Sequence, residues 1–314
     1  MEWRIYLFGY PLEHSLSPEL HNRYFQKLKL PLAYEARPTP PPRFHQEIPQ
    51  LMREDNFLGA NVTIPYKGEI VTMLDELRGE AAIVGAVNTV VRTSHGLIGY
   101  NTDAPAFSEM LRAAGWSRVG SAMIIGSGGG AQAAAWALTQ MGCSKLAILH
   151  RSERRLKTLR NLLRRLDKRA SFIPLHRVQE FFQWAEREGH LLDKSAPAEG
   201  ADLLDDFARA SGVSGSFPAA NASSIPIHQN ESKLFDLLVN ATPVGLHPHA
   251  DETLIDHPRF FRMFRAVADL VYNPQQTKLL FLAHLAGCQT ISGMQMLKAQ
   301  AALSRKLWLE QLSL

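Results

Sequence analysis

The sequence contains 314 residues, of which 46% are hydrophobic and 20% are charged, and this composition predicts a folded chain of about two domains rather than a disordered one. The 34 basic and 30 acidic residues leave a formal charge of +4, which is too small to indicate a nucleic-acid partner by itself. The only cysteines, Cys143 and Cys288, exclude a disulfide framework and a zinc site built from cysteines.

Apolar runs of strand length alternate with helical patterns along most of the chain, which predicts an α/β fold. In the first hundred residues the patterns predict strands at residues 4–8, 58–62 and 87–91, and helices at residues 18–29 and around residues 70–77. A second block begins near residue 103 with a helix that ends at residue 114, before Gly115.

The second block then has the order of a βαβ unit. The patterns predict a strand at residues 122–125, a glycine loop at 126–130, a helix at 131–141 and a strand at 145–149, followed by a charged helix at 152–168 and a strand at 171–175. Residues 186–230 are rich in Ala, Ser, Gly, Asn and Pro, and we expect an insertion there, with a short helix near residues 203–210 and no catalytic residue. Two more strands, at residues 237–240 and 266–271, precede a long helix after Gly293.

No segment predicts a membrane anchor. Residues 1–9 are too mixed in polarity for a signal peptide. The uncharged residues 119–144 contain the glycine loop and two glutamines, which suit a strand, a loop and a helix better than a membrane span. We therefore expect a soluble, cytoplasmic protein with neither a membrane nor a nucleic acid as its partner.

The glycine loop predicts a dinucleotide site. The run Gly126-Ser127-Gly128-Gly129-Gly130-Ala131 fits the pattern G-x-G-x-x-A, directly after a predicted strand and at the start of a predicted helix. Glycines at these positions allow a tight turn and let the backbone approach a pyrophosphate, whose charge then meets the helix N-terminus. This placement favours a nucleotide site over an ordinary flexible loop.

The end of the next predicted strand favours NADP over NAD. An NAD site usually carries an acidic residue there, which binds the ribose 2′-hydroxyl, whereas this chain has His150-Arg151-Ser152-Glu153. Arg151, with Arg155 in the first helical turn, offers a planar cation suited to a 2′-phosphate. Two alternatives stay open: Glu153 could bind a ribose hydroxyl instead, and the nine basic residues among 151–169 could form a solvated helix face.

Polar side chains suited to a small ligand occur at four places in the first 103 residues. They are Ser15 and Ser17; Asn61, Thr63 and Lys67; Asn88 and Thr89; and Asn101, Thr102 and Asp103. Singly, each has a simpler explanation, since Ser17 and Asp103 could cap helices and Lys67 could be a surface lysine. Together they supply hydroxyls, amides, one cation and one anion, as a small polyhydroxylated acid requires.

With these motifs the sequence resembles the shikimate dehydrogenase family over essentially its whole length, apart from residues 186–230. The matching stretches are residues 9–18, 61–67, 85–89, 101–103, 126–131, 240–245, 271–274 and 293–300. The resemblance implies an N-terminal α/β substrate domain formed by residues 1–103 and 294–314. It also implies a Rossmann-like NADP-binding domain of residues 104–293 that contains the insertion, with the active site in the cleft between the domains.

The resemblance also implies roles for individual residues. Lys67 and Asp103 match the catalytic pair of the family. The implied substrate ligands are Ser15, Ser17, Thr63, Asn88, Tyr272 and Gln300. The implied NADP ligands are Gly126, Ser127, Gly128, Gly129, Gly130, Ala131, His150, Arg151, Ser152 and Arg155, with Leu270, Gly293 and Met296 at the nicotinamide end. No metal is expected, and His150 departs from the family, which usually has Asn there.

The implied reaction is the reversible, NADP-dependent reduction of 3-dehydroshikimate to shikimate in the chorismate route to aromatic amino acids. One alternative is a quinate or dual quinate/shikimate dehydrogenase that accepts NAD, and Ser17 favours shikimate over quinate. An alternative of another class is a catalytically silent ligand-binding homologue, against which the retention of Lys67 and Asp103 argues. We expect a small-molecule substrate and a monomer or homodimer.

Overall fold

The structure, a computed structural model, describes residues 2–177, 180 and 233–312, without the side chains of residues 154 and 155. It divides into two compact units, the first comprising Met1–Glu109 and Gln295–Leu314 and the second Met110–Met294. The insertion predicted at residues 186–230, with its short helix, lies outside the described residues.

The first unit contains a six-stranded mixed sheet with helices. Its elements in chain order are β1 (Trp3–Gly9), α1 (Ser17–Lys27), β2 (Leu32–Pro38), α2 (Phe44–Leu51), β3 (Phe57–Val62), β4 (Glu76–Leu77), α3 (Glu80–Val84), β5 (Thr89–Thr93), β6 (Gly96–Tyr100) and the start of α4 (Asp103–Ala113). The strand order is β2-β1-β3-β5-β6-β4. Strands β2, β1 and β3 are parallel, whereas β5 is antiparallel to both β3 and β6.

The second unit contains a parallel sheet in which the chain adds strands outwards from the two central strands on both sides. Its elements are β7 (Ser121–Ile125), α5 (Gly129–Gln140), β8 (Lys145–His150), α6 (Glu153–Arg165), β9 (Ser171–Pro174), β10 (Phe235–Asn240), β11 (Phe264–Asp269), α7 (Lys278–Leu285) and β12 (Gln289–Ser292). The order β12-β11-β10-β7-β8-β9 reverses direction between β7 and β10, which is the topology that creates a ligand crevice at the carboxyl ends of the strands. The predicted α/β class with a Rossmann-like sheet is confirmed. None of the helices in the described part of the chain is long and apolar enough to cross a membrane.

The last helix, α8 (Met294–Leu309), begins at the end of the second unit and packs against the sheet of the first. A Cβ atom at Gly59 would lie 2.4 Å from Trp308 Nε1, so only glycine in β3 lets the indole approach this closely. The buried Trp308 Nε1 then donates to the Val90 carbonyl at 2.9 Å. This packing places the polar face of α8 beside the carboxyl end of β3.

Several predicted elements differ from the structure in type or in their bounds. The prediction of a helix around residues 70–77 is wrong, since a 3₁₀ turn at Ile70–Met73 is followed by β4. The reason is that Asp75 forms hydrogen bonds with the backbone of Leu97 in β6 through both its amide and its carboxylate. The strand expected at 87–91 begins only at Thr89, and the strand expected at 266–271 ends at Asp269. Helix α5 also starts inside the glycine run, at Gly129. The sequence patterns did not predict β2, α2, α3, β6, α7 and β12.

Candidate active site

A lysine and an aspartate are in direct contact in the first unit. Lys67 lies five residues beyond the end of β3, and Asp103 is the first residue of α4. The distance from Lys67 Nζ to Asp103 Oδ2 is 2.5 Å, with the lysine side chain 18% exposed and the aspartate side chain 7% exposed. The Val87 amide donates to the Lys67 carbonyl at 2.8 Å, which fixes the lysine backbone. The Lys67–Asp103 contact is thus a charge-assisted hydrogen bond between two largely buried side chains.

Asn88 holds the second carboxylate oxygen of Asp103. Its Nδ2 donates to Asp103 Oδ1 and to Thr102 Oγ1, both at 2.9 Å. Its Oδ1 accepts from the Thr102 amide at 2.7 Å. Both amide hydrogens and the amide oxygen are thus engaged, which fixes the orientation of the side chain. The structure therefore brings together three of the predicted site residues, Lys67, Asn88 and Asp103.

A buried polar layer connects this trio to α8. Asn61 Nδ2 donates to the Asn88 carbonyl at 3.0 Å, and Thr89 Oγ1 lies 2.8 Å from Ser304 Oγ. Ser304 Oγ in turn donates to the carbonyl of Gln300, four residues earlier on α8, at 2.9 Å. Ser304 was not among the predicted site residues, although its spacing of four from Gln300 places both on one helix face.

The predicted ligands Ser15, Ser17 and Thr63 lie in loops that follow β1 and β3. Ser15 Oγ accepts from the Ser17 amide at 3.3 Å, which places the Ser15 hydroxyl at the start of α1. The Thr63 amide donates to the Phe8 carbonyl at 2.8 Å. A Cβ atom at Gly9 would lie 2.3 Å from Thr63 Cγ2, so the glycine permits the two loops to meet. Gln300 and Met296, both on α8, also belong to the first unit and are 9% and 8% exposed.

The glycine loop of the second unit has the geometry of an anion-binding turn. Gly126 has φ +119°, which favours glycine, and a Cβ there would lie 3.1 Å from the Ala241 carbonyl oxygen. A Cβ at Gly128 would meet no atom within 4 Å, so this side of the loop is open. The first helical bond of α5 runs from Gln132 N to Gly128 O. The amides of residues 129–131 therefore have no partner within the helix, an arrangement that is able to bind a phosphate.

The residues predicted for the ribose end lie where β8 ends and α6 begins. His150 is 4% exposed, and burial lowers the pKa of its imidazole despite the nearby Glu153 carboxylate. His150 Nε2 lies 3.5 Å from Glu153 Oε1. Arg151 is exposed beside it, and Ser152 is the N-cap residue of α6. Arg155 lies in α6, but its side chain is outside the described part of the structure.

Two of the residues predicted for the nicotinamide end, Leu270 and Gly293, also come together. Leu270 Cδ1 lies 3.5 Å from the position of a Cβ at Gly130, and the Leu270 carbonyl oxygen lies 2.6 Å from the position of a Cβ at Gly293. Leu270 thus contacts the glycine loop on one side and Gly293 on the other. Tyr272, two residues later in the chain, belongs to the same unit.

The chain is similar to known proteins in both sequence and fold. Residues 7–90 match the family model of the shikimate dehydrogenase substrate binding domain. The chain is 34% identical over 303 residues to a shikimate dehydrogenase (NADP(+)) of Moorella thermoacetica, covering 96% of this chain and 86% of that protein.

Two solved structures agree with this similarity. The shikimate 5-dehydrogenase of Thermus thermophilus in complex with NADP(H) and shikimate is 29% identical, with a TM-score of 0.69 and coverage of 98% of this chain and 93% of that one. The Listeria monocytogenes enzyme in complex with shikimate and NAD is 28% identical, with a TM-score of 0.72 and coverage of 98% and 92%. The predicted resemblance is confirmed, and the chain belongs to the shikimate dehydrogenase family.

Proposed function

We propose that this protein is an NADP-dependent oxidoreductase that interconverts 3-dehydroshikimate and shikimate. The observation that carries the proposal is the Lys67–Asp103 contact, held from behind by Asn88. The curated relatives support it, since proteins 34% identical over almost the whole chain bear the name shikimate dehydrogenase (NADP(+)).

The proposed chemistry uses Lys67 as the proton donor of the reductive direction. The carbonyl oxygen of the substrate gains negative charge as the carbonyl is reduced, and an ammonium hydrogen-bonded to that oxygen stabilises the charge. The same ammonium then supplies the proton that completes the alcohol. Asp103 orients Lys67 through the 2.5 Å contact and accepts a hydrogen bond from a ring hydroxyl. A bound nicotinamide supplies the hydride in this direction and takes it up in the reverse one.

The remaining predicted ligands divide between the carboxylate and the ring of the substrate. Ser15 and Ser17 bind the carboxylate, and Thr63, Tyr272 and Gln300 bind ring hydroxyls. Asn88 has a more specific role than a substrate ligand, because both of its amide hydrogens are already engaged. It holds the Asp103 carboxylate in place and contacts the substrate only by exchanging one of these bonds.

The second unit fits a dinucleotide with a 2′-phosphate. The turn at Gly126, the open side of Gly128 and the unpartnered amides of residues 129–131 suit a pyrophosphate. Arg151 and Arg155 pair with the 2′-phosphate, and Leu270, Gly293 and Met296 contact the nicotinamide end. NAD is the competing cofactor, because Glu153 lies beside Arg151 and the Listeria relative is in complex with NAD. Cytoplasmic location, a monomeric or homodimeric state and the lack of a nucleic-acid partner stay predictions.

The test is turnover of shikimate by the purified protein with NADP⁺. We expect NADPH to accumulate and mass spectrometry to identify the product as 3-dehydroshikimate. A catalytically silent homologue would bind shikimate in calorimetry without forming NADPH, and that result would overturn the proposal. A quinate dehydrogenase would form NADPH or NADH from quinate at a higher rate than from shikimate.

A further inference from the structure

A buried carboxylate lies at the carboxyl end of β11 and takes no part in the chemistry proposed above. Asp269 is 0% exposed, and burial raises the pKa of its carboxyl to about 6. A carboxylate in such a place is costly unless its oxygens are well hydrogen-bonded. The donors to the Asp269 carboxylate therefore indicate which segments of the chain it holds together.

The three donors to Asp269 come from three different segments. Asn240 Nδ2 and the Val271 amide donate to Oδ1 at 2.9 and 3.0 Å, and Thr277 Oγ1 donates to Oδ2 at 2.7 Å. Asn240 ends β10, Val271 lies in the loop after β11, and Thr277 is the N-cap of α7, where its hydroxyl accepts from the Leu280 amide. All three donors are neutral, so the carboxylate is held by hydrogen bonds rather than by an ion pair.

These segments carry the backbone that borders the glycine loop. The Ala241 amide donates to the Ile125 carbonyl at 2.9 Å, just before Gly126, and the Leu270 amide donates to the Asn240 carbonyl at 3.0 Å. The Ala241 carbonyl packs on Gly126, and Leu270 packs on Gly130 and Gly293. Asp269 thus bonds Asn240 and Val271, the chain neighbours of Ala241 and Leu270, which are the two residues that pack against the glycine loop.

We propose that Asp269 is a positioning residue for the cofactor: its carboxylate holds Ala241 and Leu270 against the glycine loop and so sets the affinity for NADP. This inference rests on the proposed function, because it takes NADP as the ligand of the loop. Ligands of parallel α/β sheets bind at the carboxyl ends of the strands, which is where all three donors lie.

The test compares Asp269→Ala with Asp236→Ala by calorimetric titration of NADP⁺, well below the melting temperature of each variant. Asp236 is a matched control, because its carboxylate also braces backbone, accepting from the Gly120 and Ser121 amides at 2.7 and 3.1 Å, but at the amino end of the same sheet. We expect the Kd for NADP⁺ to rise about tenfold or more in Asp269→Ala, since three buried donors lose their acceptor. In Asp236→Ala it should change by less than about twofold.

Asp269→Asn provides the conservative rescue. The amide oxygen of the asparagine can still accept from Asn240 and Val271, and the Thr277 hydroxyl can rotate to accept from its amide nitrogen. We therefore expect most of the affinity for NADP⁺ to return. Should Asp269→Ala fail to fold, Thr277→Val and Thr277→Ser provide an alternative test. Serine keeps the hydroxyl that donates to Asp269 Oδ2, whereas valine removes it. We then expect weaker NADP⁺ binding in Thr277→Val alone.

An unchanged Kd in a folded Asp269→Ala variant, or equal weakening in Asp236→Ala, would overturn the inference and leave Asp269 with a purely structural role. In the fallback pair, equal Kd values for Thr277→Val and Thr277→Ser would do the same. Failure of the wild-type protein to bind NADP⁺ would instead contradict the proposed function, so the two failures are distinguishable.

Discussion

Asp103 is bonded on both carboxylate oxygens, by the Lys67 ammonium on one and by the Asn88 amide on the other. Side chains held in this way keep their geometry before a substrate arrives, so little rearrangement is needed on binding. The buried layer of Asn61, Thr89 and Ser304 supports the trio from behind. We therefore expect a single substitution at Lys67 to change the catalytic rate more than the stability of the fold.

Lys67→Ala removes the ammonium that stabilises the developing alkoxide and supplies its proton. We expect kcat for shikimate oxidation to fall by about 10²–10⁴ while KM changes little. Steady-state kinetics with NADP⁺ measures this, with Lys27→Ala as the control, because Lys27 is an exposed lysine of the same unit. A variant with near-normal kcat and a raised KM would show that Lys67 binds substrate and does not act in catalysis.

Arg151 tests how the protein recognises the 2′ position of the nucleotide. Arg151→Ala should weaken NADP⁺ much more than NAD⁺, because only NADP⁺ carries a phosphate for the guanidinium to pair with. Arg164→Ala, an exposed arginine in the last turn of α6, should weaken neither cofactor. Titration of both variants with both cofactors gives the four Kd values. Equal weakening of NADP⁺ and NAD⁺ by Arg151→Ala would show that this residue does not read the 2′ position.

At the scale of helices and strands, the sequence patterns are sufficient where one element buries a continuous apolar face. Strand β7, the glycine turn and α5 could be predicted, because an apolar run is followed by several glycines, which a tight turn requires. The patterns fail where a tertiary contact decides, as at residues 70–77, where Asp75 pairs beside β6 instead of continuing a helix. The hydrogen bonds of Asp269, and those that Ser304 makes with Asn61 and Thr89, cannot be predicted from sequence spacing, because they join segments that only folding brings together.

Helix α1 carries an acid-sensitive group in the core of the first unit. His21 is 0% exposed, its ring stacks on Tyr34 at 4.3 Å between centroids, and neither ring nitrogen has a hydrogen-bond partner among the described residues. Burial, together with the charge of Arg305, lowers the pKa of His21 to about 3. An unfolded histidine titrates near 6.5, so below that pH the unfolded chain binds more protons than the folded one. Stability is therefore lost as the pH falls from about 6.5 towards 3.

His21→Phe keeps the stacked ring and removes the titration. For the wild type we expect His21 to lower the free energy of unfolding by about 2 kcal/mol between pH 7 and pH 5. The variant should lack this part of the loss, as urea unfolding at both pH values can measure. Groups common to both proteins cancel in the comparison, including Asp269, whose raised pKa acts in the opposite sense. An identical pH dependence in the two proteins would contradict a neutral, buried His21.

At the scale of the whole molecule, the two units contribute different parts of the proposed reaction. The first holds the Lys67–Asp103 pair with Ser15, Ser17 and Thr63, and the second holds the glycine loop with Leu270, Gly293 and Tyr272. The fold class and the family could be predicted from ordered motifs, since each motif ends a strand or opens a helix. The predicted preferences for cofactor and for substrate rest on single side chains, since Arg151 favours NADP where Glu153 favours NAD, and Ser17 alone favours shikimate over quinate.

The most direct test of the account is therefore a comparison of initial rates with shikimate and quinate, each assayed with NADP⁺ and with NAD⁺. Lys67→Ala prepared in parallel controls for contaminating dehydrogenases. We predict the highest kcat/KM for shikimate with NADP⁺, and a loss of that activity in the variant. A higher kcat/KM for quinate or with NAD⁺, or no turnover in any of the four combinations, would contradict the central claim.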